Sequence, residues 1–241
     1  VQKRWQEEIC PDRKQFNHIH ERLLAAWKNF GPDIIHLTCI PEWEDDYVTT
    51  RYLANTAAEA GLTVKLIPME EIGWNGQEFI DKDKLEIKKL FKLYPWEWLI
   101  NEGYRSNAHQ ASVQIIEPIW KMILSNKALM VLLWEMFPGH PNLLPAYFDK
   151  KYLSGDYVKK PLLGRLGHNV SLYSTDGNII TDGIYGDGQF MYQQSHLLPK
   201  FDGNYALVGS WVIAGEAAGI NVREDTQPIS NDDSRFAPHY Y

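Results

Sequence analysis

No apolar run in this chain approaches the roughly 20 residues that cross a bilayer, and no basic start, apolar centre and small-residue cleavage site mark a secretory leader. Cysteine is scarce: only Cys10 and Cys39 occur, in no Cys-x-x-Cys spacing. Such usage argues for two buried thiols in a reducing, cytoplasmic setting and against a disulfide framework. Basic residues are also in deficit. With 24 Lys and Arg against 31 Asp and Glu, the 241 residues carry a formal charge of −7. Binding to nucleic acid through a broad face rests on cations neutralising phosphates, so that class of function is excluded, although a local basic pocket is not.

Several catalytic signatures are missing as well. There is no Gly-x-x-x-x-Gly-Lys-Ser/Thr phosphate loop and no Gly-x-Gly-x-x-Gly after a strand. The glycines from Gly183 to Gly188 have the wrong spacing and read as part of a hairpin. No His-Glu-x-x-His is present, and His18 and His20 would fall on different faces of a helix, a poor zinc pair. Without a Gly-x-Ser-x-Gly elbow, Ser210 reads as a strand residue and not as a nucleophile.

What is present is the composition of a soluble globular protein, 44% hydrophobic and 23% charged. Phe16, Ile19, Leu23, Trp27 and Phe30 recur at helical steps, and Gly31-Pro32 ends that helix. Asp33 to Cys39 reads as a buried strand, Tyr47 to Ala60 as a helix capped by Gly61, and Thr63 to Pro68 as a second strand. Strand, helix and strand with short joints predict a parallel βαβ unit. The lysines from Lys82 to Lys92 read as a solvated face. Pro95 opens a helix in which Trp96 and Trp98 supply core area. Ile115 to Leu124 and Ala128 to Phe137 read as two further helices, separated by Ser125-Asn126-Lys127. Beyond Asp156 the texture changes to strands and tight turns, which predicts an antiparallel sheet, with Ala206 to Ala214 as a buried strand within it. Leu163-Gly164-Arg165-Leu166-Gly167 follows a strand that carries Lys159 and Lys160. Glycine lets main-chain N–H groups come close to an anion, yet an ordinary surface turn would look the same.

The separated cations Lys127, Lys160, Arg165 and Arg223 can converge only through the fold. The blocks that hold them, Lys127-Ala-Leu-Met-Val-Leu-Leu-Trp134, Tyr157-Val-Lys-Lys-Pro-Leu-Leu-Gly-Arg165, Tyr192-Gln193-Gln194, Phe201-Asp-Gly-Asn-Tyr205, Gly209-Ser-Trp211, Ala218-Gly-Ile-Asn-Val-Arg-Glu-Asp225 and Ser234-Arg-Phe-Ala-Pro-His239, occur in one order. In that order they resemble the glutathionylspermidine synthetase family, including its short acid–amine ligase homologues. The resemblance implies an ATP-grasp-like α/β fold, with residues 1–110 forming a substrate-side portion and 111–241 a nucleotide-binding portion. It implies an ATP-dependent ligase that joins a small carboxylate, glutathione or a peptide, to a polyamine-like amine through an acyl phosphate. A nucleotide-binding module without catalysis is the alternative.

By position, Lys127 and Lys160 resemble the family's phosphate lysines. Arg165, Leu166 and Gly167 fall in its flexible glycine loop, and Gln193 and Gln194 fall near the adenine. Leu207 and the turn Pro228, Ile229 and Ser230 complete the nucleotide pocket. Arg223 resembles the arginine that stabilises the transferring phosphoryl group, where cations that strengthen their contacts in the transition state lower the barrier; an ion pair with Glu224 or Asp225 is the other reading of it. Glu44 and Asp45, with Asp46, resemble the region that receives the cationic amine, or else serve the dipole of a helix N-terminus. Two departures stand out. The family's loop reads Gly-Arg-Glu-Gly, and here Leu166 replaces the carboxylate. The magnesium ligands that the family would supply lie before Val1, so no metal ligand is expected in these residues, and the chain by itself is expected to show little ligase activity. An opening on Val1 in place of methionine reads as a fragment.

Overall fold

The computed structural model describes residues 2–102, 105–186 and 188–241. They divide into two compact units. One comprises Val1–Phe16, Ile123–Ser210 and Ile220–Tyr241; the other comprises Asn17–Met122 and Trp211–Gly219. Helix α1 (Gln2–Ile9) belongs to the first of these.

The second unit is built on a parallel sheet. Helix α2 (Ile19–Trp27) is followed by β1 (Ile35–Cys39), α3 (Glu44–Glu59) and β2 (Val64–Pro68). Strands β1 and β2 pair in parallel, with Ile35 beside Val64 and Cys39 beside Pro68, so the βαβ unit is present. Gly61, at φ 96°, lets the chain leave α3, as its place after the helix predicts. A small ribbon of β3 (Gly73–Trp74) and β4 (Phe79–Ile80) precedes β5 (Lys89–Lys92). Short helices α4 (Trp96–Asn101) and α5 (Arg105–Gln110) lead to β6 (Gln114–Ile116), and the sheet order is β2-β1-β5-β6.

Every residue of β1 is buried, because both faces of the sheet are covered. On one face Ile35 and Leu37 pack with Leu23, Trp27, Ala54 and Ala57. A second cluster, Ile67, Ile72, Phe79, Ile87 and Leu90, holds the segment after β2. Full burial of one such side chain is worth about 1.5–3 kcal/mol, so these two clusters account for the order of this unit.

Two expectations fail here. The stretch Ile115 to Leu124 is not one helix: Gln114–Ile116 adds to β5 as the fourth parallel strand, and Pro118 then opens a 3-10 turn at Ile119–Lys121. The β-branched pair Ile115-Ile116 suits a covered strand, and the proline cannot continue its ladder. Nor are all the lysines of 82–92 solvated. Lys82, Lys84 and Lys88 are exposed, but the alternation of β5 turns others inward. Lys89 Nζ lies 3.0 Å from an Asp33 carboxylate oxygen. Lys92, 4% exposed, donates to the Tyr94 carbonyl at 2.8 Å and lies 4.0 Å above the Trp96 ring.

In the other unit α6 (Met122–Ser125) and α7 (Ala128–Met136) precede an antiparallel sheet. Its strands are β7 (Ala146–Tyr147), β8 (Tyr157–Pro161), β9 (Ser171–Ser174), β10 (Gly177–Ile180) and β11 (Phe190–Gln194), in the order β10-β9-β8-β11-β7. Val131 of α7 packs with Ala146 and Met191 to form its core. The expected antiparallel platform is thus present. However, β10 and β11 are not neighbours, so the segment with Gly183, Gly186 and Gly188 is a crossover and not a hairpin turn.

A further sheet contains β12 (Lys200–Phe201), β13 (Asn204–Ile213), β14 (Glu216–Asp225) and β15 (Arg235–Ala237). Ala214 and Gly215 both have positive φ, 52° and 85°, as a two-residue turn between long strands requires. The run Ala206 to Ala214 is a strand as expected but is not buried: Val208 and Val212 are more than three-fifths exposed. The parallel and antiparallel halves together form the mixed α/β architecture that the sequence predicts.

Candidate functional site

Lys127 sits at the start of α7, where the Asn126 side chain accepts from the Ala128 amide at 2.9 Å. Its own amide donates to the Leu162 carbonyl at 2.8 Å, and its ammonium to the Gly164 carbonyl at 2.7 Å. Both contacts tie the helix start to the end of β8 and the glycine loop.

On β8, two residues before Leu162, lies Lys160. Across from it is Met191, and two residues along β11 Gln193 shares its face, so Lys160 Nζ donates to Gln193 Oε1 at 2.9 Å. That partner is a neutral amide, and none of the described carboxylates forms an ion pair with Lys160. Burial, and secondly the Lys127 charge, push its ammonium below the ordinary lysine range. A buried ammonium bonded to a neutral amide, with a second lysine's charge acting on it, suits an anion.

The glycine loop turns through two left-handed residues, Leu166 at φ 54° and Gly167 at φ 72°. Gly167 is required here twice over, by its φ and by space: an added Cβ would overlap the Ser230 carbonyl oxygen and the Ile229 side chain. Its carbonyl accepts from the Thr181 hydroxyl. The neighbouring His168 Nε2 is 3.8 Å from Asp232. Arg165 and Leu166 are exposed, Leu166 by 43%.

Arg223 stands on β14 opposite Phe236 of β15. Its Nη2 donates to the Asn231 carbonyl at 3.0 Å, its guanidinium lies 5.4 Å from the Phe236 ring centre, and its buried Nε has no hydrogen-bond partner. It pairs with neither neighbouring carboxylate. Glu224 bonds Arg235 at 3.0 Å, and Asp225 accepts from Ser234 and from the Gln227 amide. A shallow surface cleft, with no enclosed room for even a water molecule, has Leu207, Arg223, Asp225 and Ser230 among its walls.

The fold therefore assembles most of the expected residues within one unit. Lys127, Lys160 and Gln193 meet beside the glycine loop. Leu207, Arg223 and Ser230 line the cleft, with Pro228 and Ile229 in the same turn, and the packing of Gly167 on Ser230 connects the two groups. Gln194 is exposed, with its amide bonded to the Pro145 carbonyl at 2.8 Å. Glu44 and Asp45 belong to the other unit, exposed in the first turn of α3, where their charge complements the helix dipole.

A nucleotide's phosphates fit the residues present, given Lys127, Lys160 and the unpartnered Arg223 Nε. Magnesium does not fit in the same way. Among the described residues no three His, Cys, Asp or Glu side chains come together to hold a metal. Sequence reasoning missed the Asp225–Ser234 contact, whose only signal is the turn chemistry of Asn231-Asp232-Asp233-Ser234. It also missed a buried cluster in the other unit. There Asp81 Oδ2 accepts from Lys65 at 2.5 Å and lies 3.3 Å from His36 Nε2, while Oδ1 accepts from the amides of Asp83 and Leu85 at 2.9 Å each.

Residues 1–241 match the family model described as glutathionylspermidine synthase preATP-grasp. The chain is 40% identical over 260 residues to a Haemophilus influenzae protein provisionally named acid–amine ligase, covering 100% of this chain and 66% of that protein. It is 27% identical over 270 residues to the trypanothione synthetase of Crithidia fasciculata, with coverage of 98% and 41%. It is 26% identical over 246 residues to the bifunctional glutathionylspermidine synthetase/amidase of Escherichia coli K12, with coverage of 90% and 40%. The chain thus spans between two-fifths and two-thirds of the length of these relatives.

Proposed function

Because the chain belongs to the glutathionylspermidine synthase family, with its ATP-grasp-like α/β fold, we propose that it contributes the nucleotide-binding portion of an ATP-dependent ligase joining a carboxylate to an amine. In this reading residues 1–110 form the substrate-side portion and 111–241 the nucleotide-binding portion. The names of the relatives support glutathione as the type of acid and a polyamine as the type of amine. ATP would supply the phosphoryl group that activates the acid as an acyl phosphate, and magnesium would be held by residues other than those described.

The observation that carries the reading is the pair of lysines. Lys160 is bonded to a neutral amide while Lys127 raises the local positive potential, so an incoming polyphosphate relieves a repulsion already present. Gln193 fixes the Lys160 ammonium on the face it shares with α7. The glycine loop from Gly164 to Gly167 lies beside both and covers the phosphates. Arg223 supplies a positive charge to the group in transfer, where a cation lowers the barrier most. Glu44 and Asp45 attract the cationic amine to the other unit.

In the full-length protein, wild type should bind ATP and release phosphate only when both an acid and an amine are present. Lys160→Ala should weaken ATP binding about tenfold or more, the scale of a lost charge-assisted contact. Unchanged ATP affinity in that variant would remove the basis for the assignment. A second reading, a nucleotide-binding module without turnover, is favoured by Leu166, which places an exposed apolar side chain where the family's loop has a carboxylate. Saturable ATP binding without acid- and amine-dependent phosphate release would select it.

A further inference from the structure

The turn from Asp225 to Ser234 is held by a chain of hydrogen bonds that ends on Arg223. Ser234, 8% exposed, donates its hydroxyl to Asp225 Oδ2 at 2.6 Å. The same hydroxyl oxygen accepts from the Asn231 amide at 2.9 Å. The Asn231 carbonyl accepts from the Ser234 amide at 3.2 Å and from Arg223 Nη2 at 3.0 Å. At the other end of the chain, Asp225 Oδ1 accepts from the Gln227 amide at 2.8 Å.

The Asp225 carboxylate is therefore engaged through both oxygens, and it does not pair directly with the arginine two residues away. Burial alone would raise its pKa, but the Ser234 hydroxyl and the main-chain amides of Gln227, Asn231 and Thr226 outweigh that and hold it below the ordinary carboxylate range. The carboxylate stays charged and anchors the turn. One guanidinium nitrogen of Arg223 is consequently fixed on a main-chain carbonyl, the Phe236 ring supports its plane, and the buried Nε is left without a partner. A direct bidentate pair with Asp225 would have neutralised the arginine and used its donors.

The geometry points to Asp225 and Ser234 as positioning residues for Arg223: acting through the Asn231 main chain, they hold the guanidinium so that its remaining donors are presented to a phosphoryl group at the cleft. The inference rests on the nucleotide-binding reading above. The turn has a second consequence, because its Ser230 carbonyl is the surface against which Gly167 packs. That packing lies outside the hydrogen bonds that run from Ser234 through Asn231 to Arg223, so loss of the Ser234 hydroxyl acts on the arginine alone.

The test uses the full-length protein and inorganic tripolyphosphate as a probe of the phosphate contacts alone, with affinity measured by calorimetry. Arg223→Ala should weaken tripolyphosphate binding about tenfold or more. Ser234→Ala should weaken it by a similar factor, and Ser234→Thr, which keeps the hydroxyl, should restore most of the loss. The deciding measurement is the double variant: adding Ser234→Ala to Arg223→Ala should cost nothing further, because residues acting through one group are not additive. Additive losses, an unaffected Ser234→Ala, or no tripolyphosphate binding by the wild type would each overturn the inference. The ligase reading fails on a different result, the absence of acid- and amine-dependent phosphate release, so the two outcomes are separable.

Discussion

Asp81 offers the sharpest quantitative test of how the parallel-sheet unit is held. Its side chain is 1% exposed and receives the Lys65 ammonium, the His36 ring and two main-chain amides. Burial would raise its pKa, but these donors, Lys65 foremost, bring it from 3.8 to about 2. At about 1.4 kcal/mol per pKa unit, and discounted because the Lys65 side chain is 26% exposed and screened by water, the ionised carboxylate contributes about 1–2 kcal/mol. In Asp81→Asn the amide oxygen can still accept from Asp83 and Leu85, so the turn keeps its shape. The Lys65 ion pair with Oδ2 is lost, and His36 Nε2 can no longer donate to that position.

The variant should therefore melt about 2–8 °C below wild type at neutral pH, taking 2–4 °C per kcal/mol for a chain of this size. The sign with pH follows from the depressed folded-state pKa. The stabilisation is fully present above the unfolded value near 3.8 and is lost as pH falls through about 2. His36 acts in another window. Its pKa is lowered by burial, against the opposing hydrogen bond and charge of Asp81, so the unfolded chain binds its proton more readily and stability declines as pH falls below 6.5. Removing Asp81 removes that opposition and should steepen the decline. Thermal melts of both proteins between pH 7.5 and 3 read these effects. A melting difference near zero at pH 7, or one that grows as pH falls below 4 after the His36 slope is subtracted, would falsify the argument.

Two further substitutions test local geometry. Gly167→Ala should lower ATP affinity and leave the parallel-sheet unit unaffected, because its Cβ meets the Ser230 carbonyl at a φ of 72°; hydrogen exchange localised to residues 164–168 and 228–232 would show this, and an unchanged affinity would count against it. Thr56→Val should destabilise by about 1–3 kcal/mol. It keeps the shape of a buried side chain but strips the partner from Trp27 Nε1, which lies 3.0 Å from the Thr56 hydroxyl. Urea unfolding followed by tryptophan fluorescence measures that loss, and a midpoint equal to wild type would refute it.

Local pattern made a good part of this protein legible in advance. The βαβ unit, the α7 helix and the antiparallel half follow from periodicity, β-branched runs and glycine punctuation, which act over a few residues and do not depend on distant partners. The family blocks pointed to Lys127, Lys160, Gln193 and Arg223 from sequence order, and the proposed site is built on them. Other outcomes depended on neighbours far along the chain. Ile115-Ile116 became a strand because β5 offered an open edge, and Lys92 went inside because Trp96 and the Tyr94 carbonyl receive its charge. Val208 and Val212 stayed exposed because no described element covers that part of the hairpin.

The clusters around Arg223 and Asp81 show the division most clearly. Composition determined that cations and carboxylates were available, and local turn chemistry determined that Asn231 to Ser234 would bend. Only the tertiary structure decided that Arg223 would bind a main-chain carbonyl while Asp225 was satisfied by Ser234. The physical reason is that a hydrogen bond depends on distance and direction within a few tenths of an ångström. Such placement comes from the pairing of β14 with β15, and residue types along a chain do not specify it.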